Sequence, residues 1–118
     1  MLKVMIATML TAAVLLPAHA ADRARATVLL VADAGEADSD CPCGHIIHAV
    51  RDARARGVVV REVSPADKAV TKKYAVTVAP TVLVLDASGK VIERHEGESE
   101  ETLAAIKLAL DRIARGGT

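Results

Sequence analysis

Val78-Ala79-Pro80-Thr81-Val82-Leu83-Val84-Leu85 decides the fold when it is read together with Cys41-Pro42-Cys43 upstream. Pro80 stands at the mouth of an apolar run, where its missing N–H costs nothing and the strand proper begins at Thr81. Asp86-Ala-Ser-Gly89 follows as a tight turn into Val91 to His95, so Thr81 onward reads as a hairpin. Beyond it Ser99 caps a last helix on which Leu103, Ile106, Leu110 and Ile113 form one apolar stripe.

Upstream, Ala26 to Ala32 (ATVLLVA) is a continuous apolar run suited to a strand covered on both faces. Asp33 to Asp40 is an acidic loop containing glycine. From Pro42 the period becomes helical, with Ile46, Ile47, Val50 and Ala53 on one face and His45, His48, Arg51 and Asp52 toward the other. Gly57 stops that helix and Val58-Val59-Val60 opens another strand. Ser64 as N-cap with Pro65 at the first helical position predicts a second helix running to Tyr74. The order is βαβ, then α, then ββα: an α/β chain with a central mixed sheet flanked by helices.

The chain has 118 residues, 15 basic and 15 acidic, with no Phe, no Trp and one Tyr. A core of Val, Ile, Leu and Ala follows. Balanced charge argues against a nucleic-acid surface or an anionic membrane surface, both of which need clustered positive charge. Residues 1–20, MLKVMIATMLTAAVLLPAHA, read as a cleaved signal peptide: Lys3, a short apolar run, Pro17, then Ala18-His19-Ala20. The apolar run is shorter than the roughly 20 residues a membrane span needs. Residues 21–118 are therefore expected as one monomeric domain, periplasmic or secreted, with no membrane insertion after cleavage. Two cysteines suit that oxidising setting.

On three groups of residues the chain resembles the thioredoxin family. They are the thiol pair at the start of the first helix, Lys73-Tyr74-Ala75-Val76, and the run from Val78 through Leu83. Asp86 through Gly97 is similar to the family's closing hairpin and the glycine after it. The resemblance covers nearly all of residues 21–118 and implies a minimal thioredoxin-like fold, without the extra N-terminal strand and helix of full-length members. It implies that Pro80 is the family's cis-proline and that Ala79 offers its backbone to an extended substrate. It implies that Cys41 attacks and Cys43 resolves. The expected function is thiol–disulfide exchange with no cofactor. The partners would be disulfide-bearing proteins or a membrane thiol-electron carrier.

The chemistry can be argued from the residues themselves. A helix N-terminus carries unpaired N–H groups and roughly half a positive charge, which favours a thiolate over a thiol. The thiolate is the species that attacks a disulfide. Two features differ from the family: the pair is Cys-x-Cys instead of Cys-x-x-Cys, and Asp40 precedes it where Trp is usual. A disulfide across one residue closes a smaller, more strained ring, which is easier to reduce and points toward oxidase or isomerase chemistry. For the buried acid that assists the resolving thiol in relatives, Asp33 is the candidate by rough position.

Two alternatives stand beside this reading. Cys41, Cys43, His45 and His48 offer two sulfurs and two imidazoles within a short span, a donor set for zinc or, through the thiolates, copper. Against it, two helical histidines are commonly a solvated face, with His48 pairing to Asp52. The other alternative is a non-catalytic binding module in which the thiols form a permanent staple. Glu93, Glu96, Glu98, Glu100 and Glu101 are expected as a solvated patch around the last helix start, and His95 as structural or exposed.

Overall fold

The computed structural model describes residues 25–116. The signal-peptide reading of residues 1–20 lies outside the described residues. Four strands, β1 (Thr27–Val31), β2 (Val59–Val63), β3 (Thr81–Leu85) and β4 (Val91–Glu96), form one sheet in the order β2-β1-β3-β4. β1 runs parallel to β2 and antiparallel to β3, and β3 runs antiparallel to β4. The two continuous apolar runs, β1 and β3, take the centre. The edges go to β2 and β4, whose residues alternate between half-buried and exposed.

Three α-helices cover the sheet: α1 (Pro42–Ala55), α2 (Lys68–Lys73) and α3 (Glu100–Ala114). On one face Val28, Leu30 and Val82 of the sheet meet Ile46, Ile47, Val50 and Ala53 of α1 and Leu103, Ile106 and Leu110 of α3. On the other face Leu29, Val31, Leu83 and Leu85 meet Val70 of α2, with Tyr74 and Val76 beside them. Successive residues of β1 thus serve opposite cores, as the pleat requires. Each fully buried aliphatic side chain contributes about 1.5–3 kcal/mol. The ion pair that links α1 to α3, Arg56 to Asp111 at 2.8 Å, is exposed, and such pairs contribute about 1 kcal/mol at most. Apolar burial therefore outweighs this surface pair in holding α1 and α3 together.

Two elements depart from the sequence expectation. Ser64 and Pro65 do not start a helix. The Ser64 hydroxyl accepts from Ala66 N–H at 3.1 Å, and Asp67 N–H donates to Ser64 C=O at 3.0 Å, which makes a turn. The helix begins three residues later, where the Asp67 carboxylate accepts from Val70 N–H at 3.2 Å. Two capping side chains competed, and the one nearer the buried Val70 took the helix. The acidic stretch after β1 is not plain loop either. It holds a short 3-10 helix, Ala34–Asp38, whose N-cap Asp33 accepts from Gly35 N–H at 2.9 Å.

α1 is tied to the edge strand β2 by a partly buried pair: Arg51 Nε donates to Glu62 Oε1 at 2.8 Å. That hydrogen bond holds the Glu62 carboxyl below the usual carboxylate range, against the opposing effect of partial burial. A pKa lowered by folding adds stability above the unfolded carboxyl's pKa, and the gain is lost as pH falls through the folded value. The pair is partly exposed, so the effect is under about 1 kcal/mol. Glu62→Gln is expected to narrow the stability difference between about pH 6 and about pH 3 by that amount, as read from urea unfolding. An acid limb unchanged by the substitution would show that other carboxylates set it.

Candidate active site

The loop from β1 crosses the start of α1 and delivers Cys41 as its N-cap, with Pro42 at the first helical position. Pro is well suited there because its absent N–H is one the helix leaves unpaired anyway. Cys41 makes no side-chain capping hydrogen bond, and the first turn of α1 carries no acidic residue. The helix therefore presents its positive end to the sulfurs without a competing carboxylate of its own. Cys41 and Cys43 are joined in a disulfide across Cα atoms 5.3 Å apart. Cys41 is half-buried, whereas Cys43 retains only 5% of its accessible surface.

Gly44, next in the chain, holds the approach of the loop. A Cβ built there would lie 2.2 Å from Ser39 O and 3.0 Å from Glu36 O, both backbone atoms. The 3-10 helix can lie across α1 only because this residue has no side chain. Gly44→Ala is expected to cost about 1–3 kcal/mol as an overpacking substitution. It should also shift Ser39 and with it the approach to Cys41. Thermal unfolding checks the first effect, and the thiol reactivity of the reduced protein checks the second. A variant with unchanged Tm would show that the loop has slack.

The Ala79–Pro80 peptide bond is cis. The Thr81 hydroxyl, fully buried, donates to Val78 C=O at 2.7 Å and braces the loop from below. Register places Thr81 opposite Val31, the last residue of β1, so the proline loop and the loop to Cys41 leave the same end of the sheet. Ala79 is exposed, and beside it lies a groove of about 360 Å³ whose walls include Pro65, Lys68, Val76 and Val78.

The third strand of the site comes from the far end of the hairpin. Gly97 N–H donates to Pro80 C=O at 2.9 Å, with Gly97 at φ +91°, a backbone conformation natural to glycine. The turn carries Glu98 to the thiols: a Glu98 carboxylate oxygen and the two sulfurs lie within 4.8 Å of one another. The sequence placed Glu98 in a solvated patch. Its position depends on the closure of Gly97 onto Pro80, and the glycine was the one local signal for it.

Other expected groups lie elsewhere. Asp33 is exposed and serves as the 3-10 cap, so it is not a buried acid beside Cys43. His45 and His48 are both exposed, and His45 Nε2 lies 3.4 Å from Asp40 Oδ1. Among the described residues, the group of ligand-type side chains close enough to share an ion is Cys41, Cys43 and Glu98. The four-residue set with His45 and His48 is thus not brought within that span. His95 is half-buried, with Nε2 3.5 Å from Glu93.

A mixed four-stranded sheet, helices on both faces and a cysteine pair at the N-terminus of the first long helix define a thioredoxin-like fold. The exposed lipoprotein thioredoxin of Streptococcus pneumoniae has a similar structure, with a TM-score of 0.53 at 16% identity, covering 80% of this chain and 89% of that one. No protein-family profile matches the chain, and no curated protein matches it in sequence. Among the described residues, no helix is long and apolar enough to cross a membrane.

Proposed function

We propose that the chain is a thiol–disulfide oxidoreductase working outside the cytoplasm, exchanging disulfides with proteins or small thiols. The observation that carries the reading is the graded exposure of the two sulfurs at the start of α1. Cys41 is within reach of a partner, and Cys43 is shielded directly behind it. An extended substrate would lie along the groove beside Ala79, whose exposed backbone precedes the buried Pro80, with its disulfide over Cys41. Cys41 thiolate attacks, and Cys43 then displaces the substrate by closing the Cys41–Cys43 bond. A membrane thiol-electron carrier, by giving two electrons to the Cys41–Cys43 disulfide, would regenerate the attacking dithiol. The signal-peptide reading of residues 1–20 and the name of the similar structure, an exposed lipoprotein thioredoxin, support a location beyond the cytoplasmic membrane.

The test is turnover of a disulfide-bearing peptide with a thiol as electron donor, with metal content measured on the same sample. Turnover lost in Cys41→Ser is expected. Stoichiometric copper or zinc that disappears in Cys41→Ser, with no turnover in the parent, would replace this reading with metal binding. Absence of both would leave a staple in a binding module.

A further inference from the structure

We propose that Glu98 handles the proton of the resolving thiol Cys43, an inference that rests on the oxidoreductase reading above. Cys43 is almost wholly buried, and apolar surroundings disfavour the charged thiolate that attack requires. A base is needed, and the proton needs a way to solvent. Glu98 supplies both. Its carboxylate lies within 4.8 Å of each sulfur while the residue stays exposed. That span is covered by one bridging water, which suffices for general-base transfer.

Its placement is set by the backbone on either side. Gly97 is bonded to Pro80 C=O at 2.9 Å, and Ser99 is held as the α3 cap, its hydroxyl accepting from Thr102 N–H at 3.1 Å. The other titratable groups on the elements that meet here are Asp33, Glu36, Asp38 and Asp40 before α1, His45 on its first turn, Glu96 ending β4, and Glu100 and Glu101 opening α3. Asp40 lies by His45 at 3.4 Å and Glu96 by Arg94 at 3.3 Å. Of the carboxylates among the described residues, Glu98 is the one grouped with the sulfurs.

Cys41 thiolate attacks a substrate disulfide, forming a Cys41–substrate disulfide and releasing one substrate thiolate. The Cys43 thiol passes its proton through water to the Glu98 carboxylate. Cys43 sulfur attacks Cys41 sulfur, the Cys41–Cys43 bond forms, and the second substrate thiolate leaves. Glu98 returns the proton to that leaving sulfur. The two protein thiols are oxidised by two electrons and the substrate disulfide is reduced by two. In the opposite direction the Glu98 carboxylate takes the proton of the incoming substrate thiol and, as the carboxylic acid, returns it to Cys43 as the substrate sulfur opens the disulfide.

A carboxylate that acted only by its charge would have the opposite sign. It would disfavour the Cys43 thiolate, and its removal would speed resolution in acid. The experiment mixes reduced protein with an aromatic disulfide whose thiolate absorbs visible light, so attack and resolution appear as two successive releases. In Glu98→Gln the second release is expected to slow roughly tenfold at about pH 6, less than direct transfer provides because a water intervenes. The first release should be unchanged or faster. The difference between the two proteins should shrink as pH rises, because hydroxide then competes with the carboxylate for the proton. Glu98→Asp should recover part of the rate, and Glu100→Gln should leave the profile alone. A second release in Glu98→Gln as fast as the parent's, or faster, at the acid end overturns the proposal. Failure of the parent to show two releases, with no lasting adduct in Cys43→Ser, instead sinks the oxidoreductase reading and takes this one with it.

Discussion

Cys43→Ser will accumulate a lasting mixed disulfide with a disulfide-bearing peptide, while Cys41→Ser will form at least about a hundredfold less adduct under the same conditions. The asymmetry follows from two properties of position. Cys41 is the N-cap residue of α1, half-exposed, at a helix end whose first turn has no acid to oppose a thiolate. Attack rate depends on thiolate fraction and on access, and access favours this sulfur. Cys43 lies one residue into the helix and is almost fully buried, so a large substrate cannot reach it directly. Its task is the intramolecular one, where the Cys41 sulfur is already beside it. Removing Cys43 leaves the first step intact and abolishes the second. Non-reducing electrophoresis and mass measurement of the adducts give the comparison. Equal trapping by the two variants would mean that the nucleophile has been assigned to the wrong sulfur.

The elements that position these thiols were legible wherever burial writes a pattern into the chain. β1 and β3 are continuous apolar runs because both of their faces are covered. α1 and α3 show their stripes at Ile46, Ile47, Val50 and Leu103, Ile106, Leu110 because each has one face on the sheet. The misread elements are those governed by local polar chemistry. Ser64 and Asp67 are both competent caps, and nothing in their order says which backbone N–H groups need them more. The 3-10 helix at Ala34–Asp38 has a single buried residue, Ala37, too little to give a period. Gly44 carried a clue that could have been used. A glycine inside a helix costs about 1 kcal/mol relative to alanine, so its presence points to a close approach, here by Ser39 O. Glu98 is a different case. Its meeting with the sulfurs is made by a long-range hydrogen bond between Gly97 and Pro80, and no local pattern of charge or hydropathy records that closure.

The Cys41–Cys43 couple is expected near −180 mV, the region typical of a disulfide isomerase, about 90 mV more oxidising than thioredoxin. Three effects compete. The N-terminus of α1 stabilises the reduced thiolate by about 0.3–1 kcal/mol at an exposed site, which makes the disulfide a better oxidant. Glu98 acts against this. A charge pair 4.8 Å apart interacts by about 1 kcal/mol in a water-like dielectric, so the carboxylate disfavours the thiolate by a similar amount. These two nearly cancel. What remains is ring size: a disulfide across a single residue has fewer torsions with which to reach relaxed geometry, and departures store several kcal/mol. A shift of about 90 mV corresponds to about 4 kcal/mol for two electrons, or roughly a thousandfold in the exchange equilibrium. Strain of that origin is enough to supply it, and neither electrostatic effect is. Equilibration against glutathione buffers, read by the fraction of alkylated thiol, measures the couple. A potential at or below about −270 mV would show that the short ring closes without strain, leaving the helix end and Glu98 to set the poise.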